Sequence, residues 1–298
     1  MLYLYNFHCI STYFEIPFLN SLNDEKKLNI SIEVVKDQEL LIPEIFKKKE
    51  IGIVANLDKV IIFYKNLAYF EIFRNGEIIK VKELFSKKKK NLFLSKFINH
   101  VLPYALYQKR KLVLHSSGIS KNGEAVIFLG KSGTGKSSLS ASFKDCNFLS
   151  EDSTLINFEP RNCYVSPGLP LVKLTKNIAK RLEFSEKDKI SLPGDRLSRS
   201  YYRTSKNKDK KIILKKCYVL AWGSKFEIIK VNSKDFLANF LSSTYSSYPY
   251  NSCKESMKIK HKFASDFFSL VPTYKIIRNK RNFFEDNKEI WHHCDFPN

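Results

Sequence analysis

The sequence predicts an α/β fold with an α+β tendency, in which a mixed β-sheet core follows a small β-rich N-terminal domain. Three observations lead to this prediction. Short apolar runs bounded by turn residues dominate the first 90 residues, which is typical of strands. Residues 130–137 fit a phosphate-binding loop, and strand-like and helical patterns then alternate towards the C-terminus. We therefore expect a β-rich domain over residues 1–90 and a larger domain over residues 91–298.

The composition is that of a globular protein. Of the 298 residues, 43% are hydrophobic and 14% aromatic, which is enough for a substantial core. No apolar run approaches the length of a membrane span, and the first residues lack a basic segment and a cleavage site, so we expect a cytoplasmic protein. The six cysteines lie far apart with no C-x-x-C pair, which argues against a zinc cluster or a disulfide framework.

The formal net charge of +21 has two interpretations. It could attract an acidic partner, such as nucleic acid, an anionic membrane surface or an acidic peptide. Alternatively, the abundance of lysine, asparagine, isoleucine and phenylalanine reflects the codon usage of an AT-rich genome, and the lysines form a solvated face. Nucleic acid is the least favoured partner, because the sequence contains no recognition helix and no base-stacking motif.

The N-terminal domain is predicted from a series of strand-like segments. They lie at residues 28–34, 60–64, 68–73 and 78–81. Asn75-Gly76 provides a turn into the last of them. The pattern indicates a mostly antiparallel β region without a recognisable catalytic cluster.

A helix is predicted after this region. The lysine-rich run at residues 86–91 is interpreted as a solvated linker, and residues 92–107 place apolar side chains at helical spacing. Pro103 is expected to kink or divide that helix, because proline lacks the N–H that a helix interior requires.

A hairpin is predicted ahead of the phosphate loop. Residues 112–120 form its first strand, Asn122-Gly123 supplies the tight turn, and residues 124–129 form the second strand. His115 is therefore expected on a strand paired to the one that leads into the loop, where its neighbours could place it beside a nucleotide.

The loop itself is the strongest motif in the sequence. It matches G-x-x-x-x-G-K-[ST] at every fixed position, and a strand pattern precedes it and a helix pattern follows. Glycines let backbone amides approach phosphate groups closely, while the Lys136 ammonium offsets their charge and the Ser137 hydroxyl can ligate magnesium. The predicted nucleotide-binding residues are Gly130, Lys131, Ser132, Gly133, Thr134, Gly135, Lys136, Ser137 and Ser138.

Two adjacent acids follow one helix downstream. Glu151 and Asp152 stand at the end of an apolar run. Carboxylates at the end of a strand, aimed at bound magnesium, are what phosphoryl transfer requires. Adjacent acids are also common in exposed turns, and their position after the phosphate loop is what favours the functional interpretation.

Three later segments carry further expectations. Residues 164–174 are interpreted as an ordered loop, because two prolines bracket a glycine. Residues 195–216 hold nine Lys or Arg against two acids and are interpreted as a mobile basic lid. Residues 291–293 are expected to lie in an exposed tail.

Three phrases taken together resemble a known family. Leu-His-Ser-Ser at residues 114–117, the phosphate loop, and Leu-Ser-Glu-Asp at residues 149–152 resemble the catalytic domain of HPr kinase/phosphorylase and its HPr kinase-like relatives. That family is similar to ATP-dependent phosphoenolpyruvate carboxykinase around the nucleotide. Phrases at residues 14–18, 166–170 and 271–274 extend the resemblance over nearly the whole chain. It implies a mixed-sheet P-loop kinase core behind a small β domain.

The resemblance also implies roles for individual residues. Glu151 falls where the family has the acid that takes the proton from the acceptor hydroxyl, and Asp152 falls where a second acid, together with Ser137, holds magnesium. Glu151 is one methylene longer than the family's aspartate, so an exchange of these two roles stays open. His115 would lie close to the phosphates or the metal, with a purely structural histidine as the alternative. Lys136 would act on the phosphates.

The predicted function is that of an ATP-dependent kinase that phosphorylates a serine hydroxyl of a protein, peptide or small-molecule acceptor. ATP and Mg²⁺ are the implied cofactors. The alternatives are a catalytically drifted ATP-binding regulatory protein and, less favoured, a basic nucleic-acid-associated ATPase. An acidic acceptor would be attracted by the basic segment at residues 195–216. The sequence leaves a homo-oligomer open.

Overall fold

A computed structural model describes most of the chain: residues 2–5, 8–11, 20–21, 30–35, 42–73, 75–84, 87–190, 192, 198–204, 212–244, 254–280 and 282–296. Contacts divide the chain into two compact units. The first comprises Met1–Lys111 and Tyr245–Lys258, and the second comprises Leu112–Thr244 and Ile259–Asn298. This division falls after Lys111, and the domain boundary at residue 90 stays a prediction.

The first unit is built on a mixed β-sheet. Within the described part of the chain its strands are β1 (Leu2–Tyr5), β2 (His8–Ser11), β3 (Asn20–Ser21), β4 (Ile30–Val34), β5 (Ile51–Ala55), β6 (Val60–Tyr64), β7 (Ala68–Phe73) and β8 (Ile78–Glu83). They lie side by side in the order β3-β1-β2-β4-β8-β7-β6-β5. Strand β4 pairs in parallel with β2 and β8, whereas β5 to β8 pair as antiparallel neighbours.

The predicted strands of this unit are largely confirmed. Those at residues 60–64 and 68–73 have the predicted bounds, and β4 covers residues 30–34 of the predicted strand at 28–34, of which residues 28 and 29 lie outside the described part. Asn75 and Gly76 take positive φ of 53° and 78° in the predicted turn. Both residue types tolerate that left-handed conformation, which the tight reversal requires.

The helices of this unit are α1 (Glu44–Lys47), α2 (Lys90–Lys96) and α3 (Leu102–Gln108), with a π-helical turn at Phe97–Val101 between α2 and α3. Pro103 lies in the first turn of α3, directly after the π-helical turn, where its missing N–H is tolerated. The lysine run does not form a linker. Lys87–Lys89 make a short 3₁₀ turn that leads directly into α2, although Lys88, Lys89 and Lys90 are solvated as expected.

The second unit holds the larger sheet. Its described strands are β9 (Leu112–Leu114), β10 (Ser117–Lys121), β11 (Glu124–Leu129), β12 (Asn147–Ser150), β13 (Thr154–Glu159), β14 (Asn162–Ser166), β15 (Leu171–Thr175), β16 (Lys189–Ile190), β17 (Arg199–Arg203), β18 (Ile212–Trp222), β19 (Glu227–Lys230) and β20 (Thr273–Arg278). The main sheet has the order β12-β10-β11-β18-β14-β13-β9, with β20 paired to the end of β18 and to β19. A smaller sheet has the order β15-β17-β16.

The main sheet is mixed, as the α/β prediction requires. Strand β18 runs parallel to both β11 and β20, whereas the remaining pairs of this sheet are antiparallel. The described helices of this unit are α4 (Lys136–Ser142), α5 (Lys176–Arg181), α6 (Ser233–Ser243), α7 (Lys254–Leu270, whose first turn belongs to the other unit) and α8 (Asn287–Cys294). A single 3₁₀ turn at Glu186–Asp188 precedes β16.

Strand β11 is buried on both faces, which fixes the position of the phosphate loop that follows it. On one face Ala125, Ile127 and Leu129 pack into a core with Phe236 and Phe267. On the other face, Val126 and Phe128 pack into a second core that also contains Leu139 of α4 and Ile290 of α8. A strand anchored in this way holds its C-terminal end in place.

Two sequence-based expectations for this unit are wrong in part or whole. Residues 164–174 are mostly strand, because β14 and β15 flank a short loop at residues 167–170. Residues 291–293 belong to α8, which is anchored by buried Ile290 and Cys294, and are not an exposed tail. The sequence pattern missed this because a short C-terminal helix gains its stability from packing rather than from propensity.

The predicted basic lid is also corrected where the structure describes it. Arg199 and Arg203 lie in β17, and Lys215 and Lys216 lie in β18. Lys215 is tied to the neighbouring strand, because its Nζ lies 2.8 Å from Glu124 Oε2. The other cations of the segment lie outside the described residues: Arg196, Lys206, Lys208, Lys210 and Lys211.

None of the described helices is long and apolar enough to cross a bilayer.

Candidate active site

The phosphate-loop sequence connects the end of β11 to the start of α4, as predicted. Gly130, Gly133 and Gly135 take positive φ of 140°, 85° and 83°. A side chain at Gly130 would meet the Leu220 carbonyl oxygen at 2.8 Å, and one at Gly135 would meet the Phe283 ring at 2.7 Å. The loop conformation therefore needs glycine at these two positions for both its backbone angles and its close packing.

Lys136 is buried inside the curve of this loop. Its Nζ donates to the Gly130 carbonyl oxygen at 2.7 Å, so the side chain folds back across the loop. The pKa of Lys136 is lowered, chiefly because burial penalises its charged form; the Asp152 and Glu151 carboxylates oppose this shift, and Arg199 adds to it. Of the other predicted loop residues, Lys131 and Ser132 are exposed, Thr134 is buried and Ser138 is half-buried.

The two adjacent acids follow β12, and their side chains turn to different partners. The Ser137 hydroxyl donates to Glu151 Oε1 at 2.7 Å, so Glu151 reaches the end of the phosphate loop. Glu151 is buried, and its other oxygen, Oε2, has no hydrogen-bond partner among the described residues. Burial raises the pKa of Glu151, and the neighbouring Asp152 carboxylate raises it further.

Asp152 is held on the other side by a lysine that sequence reasoning missed. The Lys173 ammonium makes a short hydrogen-bonded ion pair with Asp152 Oδ2, and the two side chains keep only 9% and 17% of their surface exposed. Burial alone would raise the pKa of Asp152, but the charge and hydrogen bond of Lys173, together with His115 and Arg199, outweigh it and the pKa is lowered. Asp152 also takes a left-handed backbone with φ of 59°, which an aspartate tolerates better than most residues.

Lys173 reaches this position because of the alternation of β15. Val172 and Leu174 point into an apolar cluster, so Lys173 lies on the opposite face of the strand. Its ammonium also lies 5.3 Å from the centre of the Tyr201 ring on the paired strand β17. The one signal in the sequence was a lone lysine inside the apolar run at residues 171–174.

His115 lies at the same site, although not on the predicted strand. Strand β9 ends at Leu114 and β10 begins at Ser117, so His115 lies in the break between them. Its Nδ1 lies 3.1 Å from the Asp152 backbone oxygen and 3.9 Å from Asp152 Oδ1, and 38% of its side chain is exposed. Burial of the ring lowers the pKa of His115, the Asp152 carboxylate opposes this shift, and Lys136 adds to it.

The break at His115 has a topological cause. Strand β9 pairs with β13, whereas β10 pairs with β11 and β12, so the chain changes partners between Leu114 and Ser117. His115 N–H donates to the Ser243 carbonyl oxygen at 2.6 Å instead of joining either ladder. The sequence pattern predicts one continuous strand, because a change of pairing partners has no local sequence signal.

The site thus brings together Lys136, Ser137, Glu151, Asp152 and His115, all within the second unit. Among the described residues, no group of three or more His, Cys, Asp or Glu side chains could hold a metal ion without other ligands. A magnesium ion suits such a site, because it binds through one or two carboxylates and takes its other ligands from phosphates and water. The unpartnered buried Glu151 Oε2 beside Ser137 fits that requirement.

Two residues on the outer side of the loop were not anticipated. Trp222 ends β18 and Arg278 ends β20, and the two are direct partners in the sheet register. Trp222 Nε1 donates to the Gly133 carbonyl oxygen at 3.0 Å, and Arg278 Nη2 donates to the Thr134 carbonyl oxygen at 2.9 Å. No local sequence signal connects them to the loop, because they reach it only through the pairing of three strands.

Comparisons with known proteins add little to this geometry. No protein-family model and no curated protein sequence matches the chain. Among solved structures, the chain is similar to the Hpr(Ser) kinase/phosphatase from Coxiella burnetii, with 10% sequence identity and a TM-score of 0.31. The similarity covers 61% of this chain and 95% of that one. At this level it carries no argument about activity.

Proposed function

We propose that this protein is an ATP-dependent kinase of the HPr kinase-like type, which transfers the γ-phosphoryl group of ATP to a serine hydroxyl of a protein, peptide or small molecule. The observation that carries the proposal is the hydrogen bond between Ser137, the last residue of the phosphate-loop motif, and Glu151, the first of the two acids. It joins the sequence element that binds phosphate to the one that supplies carboxylates, as phosphoryl transfer requires.

The phosphates would bind along the inner side of the loop. The Lys136 Nζ would exchange its bond to the Gly130 carbonyl oxygen for phosphate oxygens, since an ammonium gains more from an anion than from a neutral carbonyl. The Arg199 charge lowers the pKa of both Glu151 and Asp152, so Arg199 would supply a second cation near these acids. Two cations facing transferring phosphate groups would stabilise charge that develops there.

The geometry favours exchanging the roles that the resemblance suggested for the two acids. Glu151 is the carboxylate on Ser137, so Ser137 and Glu151 would hold magnesium, which neutralises phosphate charge when bound. Asp152, fixed by Lys173 and close to His115, would instead orient the acceptor. In a loose transition state the attacking hydroxyl has formed little bond to phosphorus and still holds its proton. A carboxylate in this position therefore needs to align the hydroxyl and accepts its proton late.

The γ-phosphoryl group would then pass directly from ATP to the acceptor serine. The serine oxygen forms a bond to the γ-phosphorus as the bond from that phosphorus to the bridging oxygen breaks, and ADP leaves. The hydroxyl proton passes to the Asp152 carboxylate. Lys173 keeps that carboxylate ionised beforehand, because its ammonium lowers the pKa of Asp152.

The test uses γ-labelled ATP, magnesium, the purified full-length chain and a lysate of the source organism. Wild-type protein should label an acceptor on serine, and Lys136→Ala should abolish labelling while the variant stays folded. Lys176→Ala is the matched control, because this exposed lysine lies on α5, away from the loop. A folded Lys136→Ala variant that labels the acceptor at the wild-type rate would refute the proposed function.

One observation favours a second candidate, an ATP-binding regulator that transfers nothing. The Asp152 carboxylate is already occupied by Lys173, and a carboxylate locked in an ion pair is a poor proton acceptor. The same experiment separates the two candidates. Tight ATP binding without a labelled product, in wild type and in Asp152→Asn alike, would support the regulator, whereas labelling lost in Asp152→Asn would support the kinase.

A further inference from the structure

The outer side of the phosphate loop is enclosed by three side chains from outside the motif. Trp222, Arg278 and Phe283 pack around Gly133, Thr134 and Gly135. The Arg278 guanidinium carbon lies 4.7 Å from the centre of the Phe283 ring and 5.2 Å from that of Trp222. The Phe283 ring leaves no room for a side chain at Gly135. These three side chains therefore contact the loop at two of its carbonyl oxygens and at Gly135.

Trp222 and Arg278 hold two successive peptide groups of the loop. Trp222 Nε1 donates to the carbonyl oxygen of Gly133, and Arg278 Nη2 donates to that of Thr134. Because the C=O and N–H of one planar peptide point in opposite directions, holding the Thr134 carbonyl outwards turns the Gly135 N–H inwards. The Thr134 N–H stays within the loop, where it donates to the Lys131 carbonyl oxygen at 3.3 Å. Inward-pointing amides are what a phosphate-binding loop offers its ligand.

The burial of Arg278 at this position is unfavourable for the stability of the fold. Its side chain is fully buried, and its Nε and Nη1 atoms have no hydrogen-bond partner among the described residues. Burial lowers the pKa of Arg278 to about 10, and the Asp286 carboxylate opposes the shift. A buried charge without a matching partner destabilises a fold. Its contribution to the nucleotide-free protein is therefore small or unfavourable, and an anion on the other side of the loop would offset its charge.

We propose that Arg278 and Trp222 are positioning residues of the phosphate loop, and that they increase its affinity for nucleotide phosphates. Arg278 orients the Gly135 amide, and its charge polarises the Thr134 peptide so that the Gly135 N–H becomes a stronger donor, while Trp222 fixes the preceding Gly133 peptide. This inference rests on the proposed function, because it requires that the loop bind a nucleotide.

The test measures ATP affinity by titration calorimetry and melting temperature without nucleotide, for the full-length chain. Arg278→Met should weaken ATP binding roughly 10- to 100-fold, the range expected for a hydrogen bond to a charged group. Trp222→Phe keeps an aromatic side chain but loses the indole N–H that donates to the Gly133 carbonyl oxygen, so it should weaken binding about 2- to 10-fold. Lys216→Met is the matched control, because this partly buried cation on β18 bonds the His293 carbonyl oxygen and should leave ATP affinity unchanged.

The melting temperature distinguishes positioning from a structural role. Arg278→Met should melt at or above the wild-type temperature without nucleotide, since it removes a buried charge whose Nε and Nη1 lack hydrogen-bond partners among the described residues, and should gain less stability from added ATP. Unchanged ATP affinity in both Arg278→Met and Trp222→Phe would overturn the inference. If Arg278→Met does not fold, Trp222→Phe alone decides. Wild-type protein that binds no ATP would instead refute the proposed function.

Discussion

Lys173→Met should reveal how strongly the candidate site depends on one buried ion pair. Methionine nearly matches lysine in length and shape, so packing in β15 should change little. The loss is electrostatic: the Asp152 carboxylate, 17% exposed, would stay behind without its cation. Breaking a buried pair in this way costs about 3–5 kcal/mol. At neutral pH we expect a loss of that order in the free energy of unfolding.

The sign of the pH dependence follows from the lowered pKa of Asp152. A carboxyl group whose pKa is lower in the folded state stabilises the fold above its unfolded pKa, and this contribution is lost as the pH falls through the folded pKa. The difference between wild type and Lys173→Met should therefore be full at neutral pH and should shrink in acid, where Asp152 is protonated in both proteins.

Urea unfolding followed by tryptophan fluorescence is a suitable assay. Both tryptophans, Trp222 and Trp291, lie in the second unit, so the signal reports the unit that contains the ion pair. Lys176→Met is the control, an exposed lysine three residues along the chain, which should change stability by no more than about 0.5 kcal/mol.

A double variant refines the test. Lys173→Met combined with Asp152→Asn removes both charges, and asparagine tolerates the left-handed backbone of Asp152. This double variant should recover part of the stability that Lys173→Met loses, because no buried charge remains uncompensated. If Lys173→Met were as stable as the control, or the double variant were no more stable than Lys173→Met, the ion pair would not have the energetic role described.

Three further predictions follow from the same site. Because burial raises the pKa of Glu151, wild-type stability without magnesium should fall relative to Glu151→Gln as the pH rises from about 5 to about 8; parallel pH profiles would contradict this. Gly133→Ala and Gly135→Ala both place alanine at positive φ, at a cost of about 1–2 kcal/mol. Of these two variants, Gly135→Ala also meets the Phe283 ring, so it should lower the nucleotide-free melting temperature more than Gly133→Ala does. Equal decreases in melting temperature would argue against that contact. Four lysines of the basic segment can be neutralised together: Lys206, Lys208, Lys210 and Lys211. This variant should have a higher KM for an acidic peptide at low salt and unchanged ATP binding, and an unchanged KM would favour the compositional interpretation of the charge.

The parts of the fold that were predictable from sequence are those set by local patterns. Strands β6 and β7 have the predicted bounds because each is an uninterrupted apolar run between turn residues. The Asn122-Gly123 turn has the positive φ values of 50° and 78° that its residue types favour. The expected tail at residues 291–293 failed as a prediction because α8 depends on distant packing partners of Ile290, which the local sequence does not reveal.

The phosphate loop, its lysine and serine, and the flanking strand and helix could be predicted from local sequence, because the loop motif and its glycines are encoded within eight residues. Three features depend on the fold: which acid faces Ser137, the pairing of the other acid with Lys173, and the contacts of Arg278 and Trp222 with the loop. Arg278 contacts a residue 144 positions earlier in the chain. Such contacts depend on the parallel register of β11, β18 and β20, and register is set by the packing of whole strands rather than by any residue near the site.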